Sequence, residues 1–229
     1  LKLEAGSFGV GNFFLPKDPA FHKAAISLID RIISNAGFNI LKTRDLPVDN
    51  NAIGARAVKC QLTIKQWIFK APCGVLDAQL DKLIQALLLE IEVEAFSNPD
   101  LAGLYPLSLS ARMQVFKGRL NSWEIIPYFK DLNDIDHAIH TMYFHTRFST
   151  NTDPHPSMAQ PFRLMAHNGE LNTDKKNRLS ETAVALARNK SIVRPNGQSG
   201  SCRLDQTLSS RVFEDGLDLV TAVVSMMPP

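Results

Sequence analysis

Apolar and polar positions recur with two different periods along this chain, and each change of period marks an element. Phe8 to Pro16 (FGVGNFFLP) is a compact apolar run ended by proline, which predicts a strand. Asp18-Pro19 then opens a helix, with Asp18 as N-cap and Pro19 in the first turn. Phe21, Ala25, Leu28, Ile29, Ile32 and Ile33 repeat at helical spacing until Gly37 stops them. FNILKTRDLPV and QLTIKQWIFKAP predict the next strands. Leu76, Leu80, Leu83, Ile84, Leu87, Leu88 and Ile91 mark a second amphipathic helix that ends at Ser97-Asn98-Pro99. LYPLSLS and ARMQVFKGRL read as two adjacent strands, Ile135 to Phe148 as a long one, and PFRLMAHNGELN as a strand leading into a turn. Helices over Asp174 to Asn189, Arg203 to Phe213 and Leu217 to Met226 follow.

Helices early and late around a strand-rich middle predict an α+β layered domain rather than a doubly wound one. Residues 1–98 form a candidate sub-lobe and 99–229 the candidate substrate-site half. The composition, 45% hydrophobic and 21% charged, is that of an ordinary globular domain. A net charge of +2 is too small to imply nucleic acid or an acidic membrane surface. The apolar stretches are broken by charges before a membrane span can form. The opening LKLEAGSFGVG lacks the basic-then-apolar pattern of a signal peptide. Cys60, Cys73 and Cys202 make no CxxC, which fits a reducing cytoplasm and three small hydrophobic side chains. His137 and His140 are spaced H-x-x-H, but on the expected strand they point to opposite faces, so no metal is expected.

The stretch richest in candidate chemistry is HTRFSTNTDPHPSMAQPFRLMAHNGELNT, His145 to Thr173. It places the cationic fork of Arg147 at a strand end, with the hydroxyls of Ser149, Thr150 and Thr152 after it. Asn168-Gly169 follows in a tight turn. Arg matches a carboxylate with two parallel hydrogen bonds. An amide donor beside a glycine N–H is what an oxyanion hole requires. On the residues alone, a surface Arg and an ordinary Asn-Gly hairpin turn explain the same pattern.

HTRFSTNT, AQPF and AHNGELNT resemble the signature of glutamine amidotransferases of the N-terminal-nucleophile type, in the form carried by glutamate synthases. FGVGNFFLPKDP, RDLPVDNNAIG (Arg44 to Gly54), IKQWIFKAP, SLSARMQVFKGRL and YFKDLND follow the family's order and approximate spacing. The resemblance therefore covers nearly the whole of 1–229. It implies a four-layer αββα sandwich of antiparallel sheets, incomplete here at one sheet edge, which leaves an edge that a second copy could pair with. It also implies L-glutamine as substrate, its α-carboxylate held by Arg147 with Thr150 nearby. An N-terminal Cys attacks the side-chain amide with its own α-amino group as base; an α-amino pKa of about 7.7–8.0 suits that task. Asn168 and Gly169 hold the oxyanion. The ammonia released passes to synthase domains of the same enzyme, where 2-oxoglutarate becomes glutamate. FMN, an iron–sulfur cluster and NAD(P)H or ferredoxin serve those domains, and this one carries no cofactor. The compartment implied is the cytoplasm, or a plastid for a plant-like parent.

Two departures from the family qualify these expectations. The chain begins at Leu1, so the nucleophilic Cys and the strands around it are not among these residues, and the chain alone is expected to be inactive. Cys73-Gly74-Val75 imitates the family's opening Cys-Gly-Val but sits where the family has a loop. Second, the family's Ser-Asp-Ser reads Ser199-Gly200-Ser201 here. The acid that pairs with glutamine's α-ammonium is replaced by Gly200, a loss of about 2–3 kcal/mol at a desolvated site. The family's PSWP run is also altered, to PHPS at Pro154 to Ser157. The alternative to an enzyme domain is thus a degenerate, non-catalytic structural or regulatory module of the same fold. A third reading is a stand-alone amidotransferase subunit serving another acceptor.

Overall fold

A computed structural model describes residues 3–75, 77–146, 155–166, 174–190, 192–194 and 199–227. It divides into two compact units, Leu1–Thr146 and Arg147–Pro229. The first unit runs β1 (Phe8–Phe14), α1 (Pro19–Asn35), β2 (Asn39–Asp45), α2 (Ala55–Cys60), β3 (Ile64–Lys70), α3 (Asp77–Ser97), β4 (Tyr105–Ser110) and α4 (Ile125–Tyr128). Its four strands form one sheet in the order β2-β3-β1-β4, and every neighbouring pair is antiparallel.

The helix starts and stops follow the sequence signals. Asp18 Oδ1 accepts hydrogen bonds from the backbone N–H groups of Ala20 (2.8 Å) and Phe21 (3.2 Å), and Gly37 leaves the helix at φ +82°. Ala25, Leu28, Ile29, Ile32 and Ile33 of α1 are buried together with Leu80, Ile84, Leu87, Leu88 and Ile91 of α3. Both helices pack on the sheet face that carries Phe13, Trp67, Phe69 and Leu109. Gly9 on β1 lets α3 come close: a Cβ there would stand 2.6 Å from the Phe69 ring and 2.8 Å from Ile84.

The opposite sheet face carries a second apolar cluster of Phe14, Leu46, Ile53, Ile64, Leu107, Val115, Tyr128 and Phe129. A polar row crosses all four strands beside it, with Arg44 opposite Gln66, Gln66 opposite Asn12, and Asn12 opposite Ser108. Arg44 Nε donates to Gln66 Oε1 (2.8 Å), and Gln66 Nε2 donates to Asn12 Oδ1 (3.0 Å). Asn12 Nδ2 donates to the Val115 carbonyl (3.1 Å), while the Val115 N–H donates to Ser108 Oγ (3.1 Å). Asp131 takes the Arg44 guanidinium through both its oxygens.

This row explains a difference from the sequence expectation. ARMQVFKGRL is not a strand beside β4: its backbone groups at Val115 bond to side chains of the row rather than to a ladder, and the segment lies over the sheet. The strand expected over Ile135 to Phe148 is also absent from its described part, 135–146. Ile135 is 97% exposed and Ile139, Met142, Tyr143 and Phe144 are exposed too, so no described strand offers this backbone a ladder. The opposite-face argument for His137 and His140 therefore loses its premise. The two rings nonetheless meet different neighbours, His137 stacking edge-on toward Phe116 and His140 Nδ1 lying 2.8 Å from Thr141 Oγ1. At the outer strands of the sheet, Lys42 and Arg44 on β2 and Pro106 on β4 are residues that blunt strand pairing.

Asn12 is wholly buried, so Asn12→Ala would strand the Val115 carbonyl and half of the Gln66 amide. A loss of about 2–3 kcal/mol is expected. Urea unfolding with an unchanged slope measures it; a loss below about 0.5 kcal/mol would mean that the row contributes no net stability.

The second unit holds α5 (Asp174–Ala187), α6 (Gly200–Ser209), a π-helical turn over Ser210–Glu214 and α7 (Leu219–Met226). The helices expected over Asp174 to Asn189, Arg203 to Phe213 and Leu217 to Met226 overlap these three, with α6 starting earlier, at Gly200, and giving way to the π-helical turn at Ser210. PFRLMAHNGELN, by contrast, contains no strand within its described residues, 161–166. No helix among the described residues is long and apolar enough to cross a membrane.

Candidate functional site

The described part of the candidate site lies in the second unit and is organised by α6. Ser199 caps this helix, its Oγ accepting from the Cys202 N–H at 3.2 Å. The side chains that α6 buries are mostly polar: Asp205, Gln206, Thr207 and Ser209, with Cys202 and Leu208. Helices that only fill a core bury an apolar stripe, whereas buried polar groups must each be matched by a partner.

Asp205, 1% exposed, is matched by backbone. Its Oδ1 accepts the Leu164 N–H (2.8 Å) and its Oδ2 the Arg163 N–H (3.2 Å), with Arg163 Nε 3.6 Å away. These bonds replace the ladder that a strand would have supplied to the same N–H groups, which is the physical reason that 161–166 is not extended sheet. Upstream of them, His155 Nδ1 accepts from the Ser157 N–H at the start of a short turn, Pro156–Met158.

Two turns along α6 from its start, Thr207 Oγ1 donates to Glu181 Oε2 of α5 (2.8 Å), and the Arg194 guanidinium pairs with the same oxygen. Burial pushes the Glu181 carboxyl above its ordinary value, while Arg194 and then Thr207 pull in the opposite direction. Asn177 Nδ2 of α5 donates to the Met226 carbonyl at the end of α7 (3.1 Å). Arg211 donates to Ser180 Oγ (2.7 Å). Polar contacts thus tie the three helices to one another.

Arg147, Thr150, Asn168 and Gly169, the residues singled out from sequence, lie outside the described residues. Gly200 is described and is the first residue of α6. It brings no carboxylate to a helix end whose dipole already disfavours a cation. Of the cysteines, Cys60 is half-buried, Cys73 exposed in a turn and Cys202 buried. Sequence reasoning gave no role to Asp205, Glu181 or Arg194. The stretch LDQTLSS is a helical run whose inward positions are polar, but the sequence by itself does not say which of its positions face inward.

The whole chain, residues 1–229, matches the family described as glutamine amidotransferases class-II. Glutamate synthase [NADH] of Schizosaccharomyces pombe is 33% identical over 183 residues, covering 76% of this chain and 8% of that protein. Ferredoxin-dependent glutamate synthase 2 of Synechocystis is 32% identical over 165 residues, covering 72% and 10%. Glutamate synthase [NADH] of Saccharomyces cerevisiae is 30% identical over 241 residues, covering 98% and 11%. The chain therefore spans between 8% and 11% of the length of these relatives.

Proposed function

The chain belongs to the class-II glutamine amidotransferases, and from that membership we propose that it is the glutamine-hydrolysing domain of a glutamate synthase. The observation that carries this reading is the family match over residues 1–229 together with relatives that are glutamate synthases. In this reading the α-carboxylate of glutamine is held by Arg147 and Thr150. The thiolate of an N-terminal Cys adds to the side-chain amide carbon, and Asn168 with the Gly169 N–H stabilises the oxyanion that forms. The α-amine of that Cys takes the thiol proton and returns it to the departing ammonia. Water then releases glutamate, and the ammonia passes to the synthase domains and 2-oxoglutarate. The second sheet of the αββα sandwich belongs to the same proposal.

FMN and the iron–sulfur cluster are assigned to the synthase domains.

One observation favours a second reading, a non-catalytic module of the same fold. Gly200 starts α6 where the family has an acid, so an α-ammonium would meet a helix N-terminus without a counter-charge.

Ammonia release from glutamine separates the two. It is to be measured on the protein as its gene encodes it, with any sequence that precedes Leu1, and on the 229-residue chain alone. The first is expected to turn over. The second is not, because none of Cys60, Cys73 and Cys202 carries a free α-amine. Silence from both favours the non-catalytic reading. Turnover by the chain alone that Cys73→Ala abolishes would move the nucleophile to Cys73.

A further inference from the structure

We infer that Asp205 is a positioning residue for glutamine hydrolysis, its carboxylate clamping the backbone that leads into the oxyanion pair Asn168-Gly169. The inference rests on the proposed function and goes beyond it, because it concerns a side chain that touches neither substrate nor nucleophile in that mechanism.

The clamp has a specific geometry. Both oxygens of one carboxylate are committed to consecutive backbone N–H groups, Arg163 at 3.2 Å and Leu164 at 2.8 Å. The Arg163 side chain returns to the same carboxylate, its Nε 3.6 Å from Oδ2. Asp205 is 1% exposed and sits within α6, whose start is capped by Ser199 and whose Thr207 is tied to Glu181 on α5. The acceptor is therefore mounted on a helix held at several points.

Its partners belong to a short segment whose N–H groups make no sheet ladder at this place. Leu164 precedes Asn168 by four residues, so a shift of the clamped backbone is passed on to the donors over a short covalent path. An oxyanion hole works by preorganisation, and donors displaced by about 1 Å lose much of their effect on rate. A burial requirement alone does not explain the arrangement. An apolar residue fills a core position at lower desolvation cost than a carboxylate but accepts no hydrogen bond, whereas the carboxylate gives each of two successive N–H groups its own acceptor oxygen.

The test uses Asp205→Asn and Asp205→Ala in the protein as its gene encodes it. Glutaminase turnover is expressed per active site, counted with a diazoketone analogue of glutamine that labels the nucleophile. Positioning predicts a fall in kcat per site of about 10–100-fold for Asp205→Ala with glutamine KM changed less than about twofold. Asp205→Asn keeps one acceptor and is expected to lie between the two. If Asp205→Ala fails to fold, Asp205→Asn decides alone. Amide exchange at Arg163 and Leu164 should quicken in both variants. A purely structural role would lower the number of sites and leave kcat per site unchanged, which overturns the inference. A rise in KM at constant kcat overturns it too, by making Asp205 a substrate-binding determinant. Absence of turnover in the unsubstituted protein overturns the proposed function, and this inference with it.

Discussion

Asn168→Ala, made in the protein as its gene encodes it, is expected to lower kcat for glutamine hydrolysis by about 10²–10³-fold while leaving KM for glutamine nearly unchanged. The side-chain amide of Asn168 is assigned to the charge that appears on the amide oxygen only after the thiolate has added. Ground-state glutamine carries a neutral carbonyl there, and an interaction that strengthens only toward the transition state is read in kcat rather than in KM. The expected loss corresponds to about 2.7–4 kcal/mol of transition-state stabilisation. In the proposed mechanism the Gly169 N–H is the second donor, so Asn168→Ala is expected to leave a residual rate rather than none. An ordinary hairpin Asn, the reading that the residues alone left open, would change turnover by less than about threefold, and such a result would remove Asn168 from the mechanism. A large KM increase with kcat intact would move Asn168 to substrate capture.

That prediction depends on resemblance more than on local physics, and the two sources of legibility separate cleanly in this chain. β1, α1, β2, β3, α3 and β4 fall where periodicity, the Asp18 cap and Gly37 place them: α1 and α3 each bury one face in the first apolar cluster, and β1, β3 and β4 carry apolar side chains into the clusters on both sheet faces. Periodicity failed where polar residues face inward. Asn12, Gln66 and Ser108 are buried polar residues within strands, and they hold ARMQVFKGRL across the sheet instead of beside it. From sequence, alternation in that segment looks the same in either place. The Ile135 to Phe148 pattern was equally strand-like, but a strand exists only with a partner, and alternation says nothing about whether one is present.

The candidate site divides in a similar way. Arg147, Thr150, Asn168 and Gly169 became candidates through motif strings; an Arg and an Asn-Gly turn are too common for composition to single out. Asp205 and Glu181 were unreadable for the opposite reason. A carboxylate on a helix is usually solvated, and nothing local marks the few that are buried against backbone or against a partner distant in sequence. The polar run LDQTLSS records the burial of α6 only once its partners, Leu164 and Glu181, are known.

Glu181 carries the second large effect. Arg194→Met is expected to destabilise the second unit by about 3 kcal/mol at neutral pH, the lower end of the cost of breaking a buried ion pair, since the Arg194 side chain keeps 19% of its exposure. Glu181 Oε2 accepts from both Arg194 and Thr207, and after the substitution only the hydroxyl remains. Burial already raises the Glu181 carboxyl above its ordinary value of 4.5, and Arg194 is the largest influence opposing that rise. Removing it lets the folded-state value climb further. A group raised in the folded state contributes its stability below the unfolded value and loses it as pH rises through the folded one. The deficit of Arg194→Met relative to the unsubstituted chain should therefore be full above the raised value of the variant. It should shrink as pH falls between the two and be smallest below that of the unsubstituted chain, where both carry a neutral Glu181. Urea unfolding between about pH 5 and 8 measures this window. Glu181→Gln combined with Arg194→Met has no carboxylate to strand, and its stability deficit should be flat across the same range. A deficit in the single variant that does not move with pH would show that Arg194 acts by packing its stem rather than by holding the charge of Glu181.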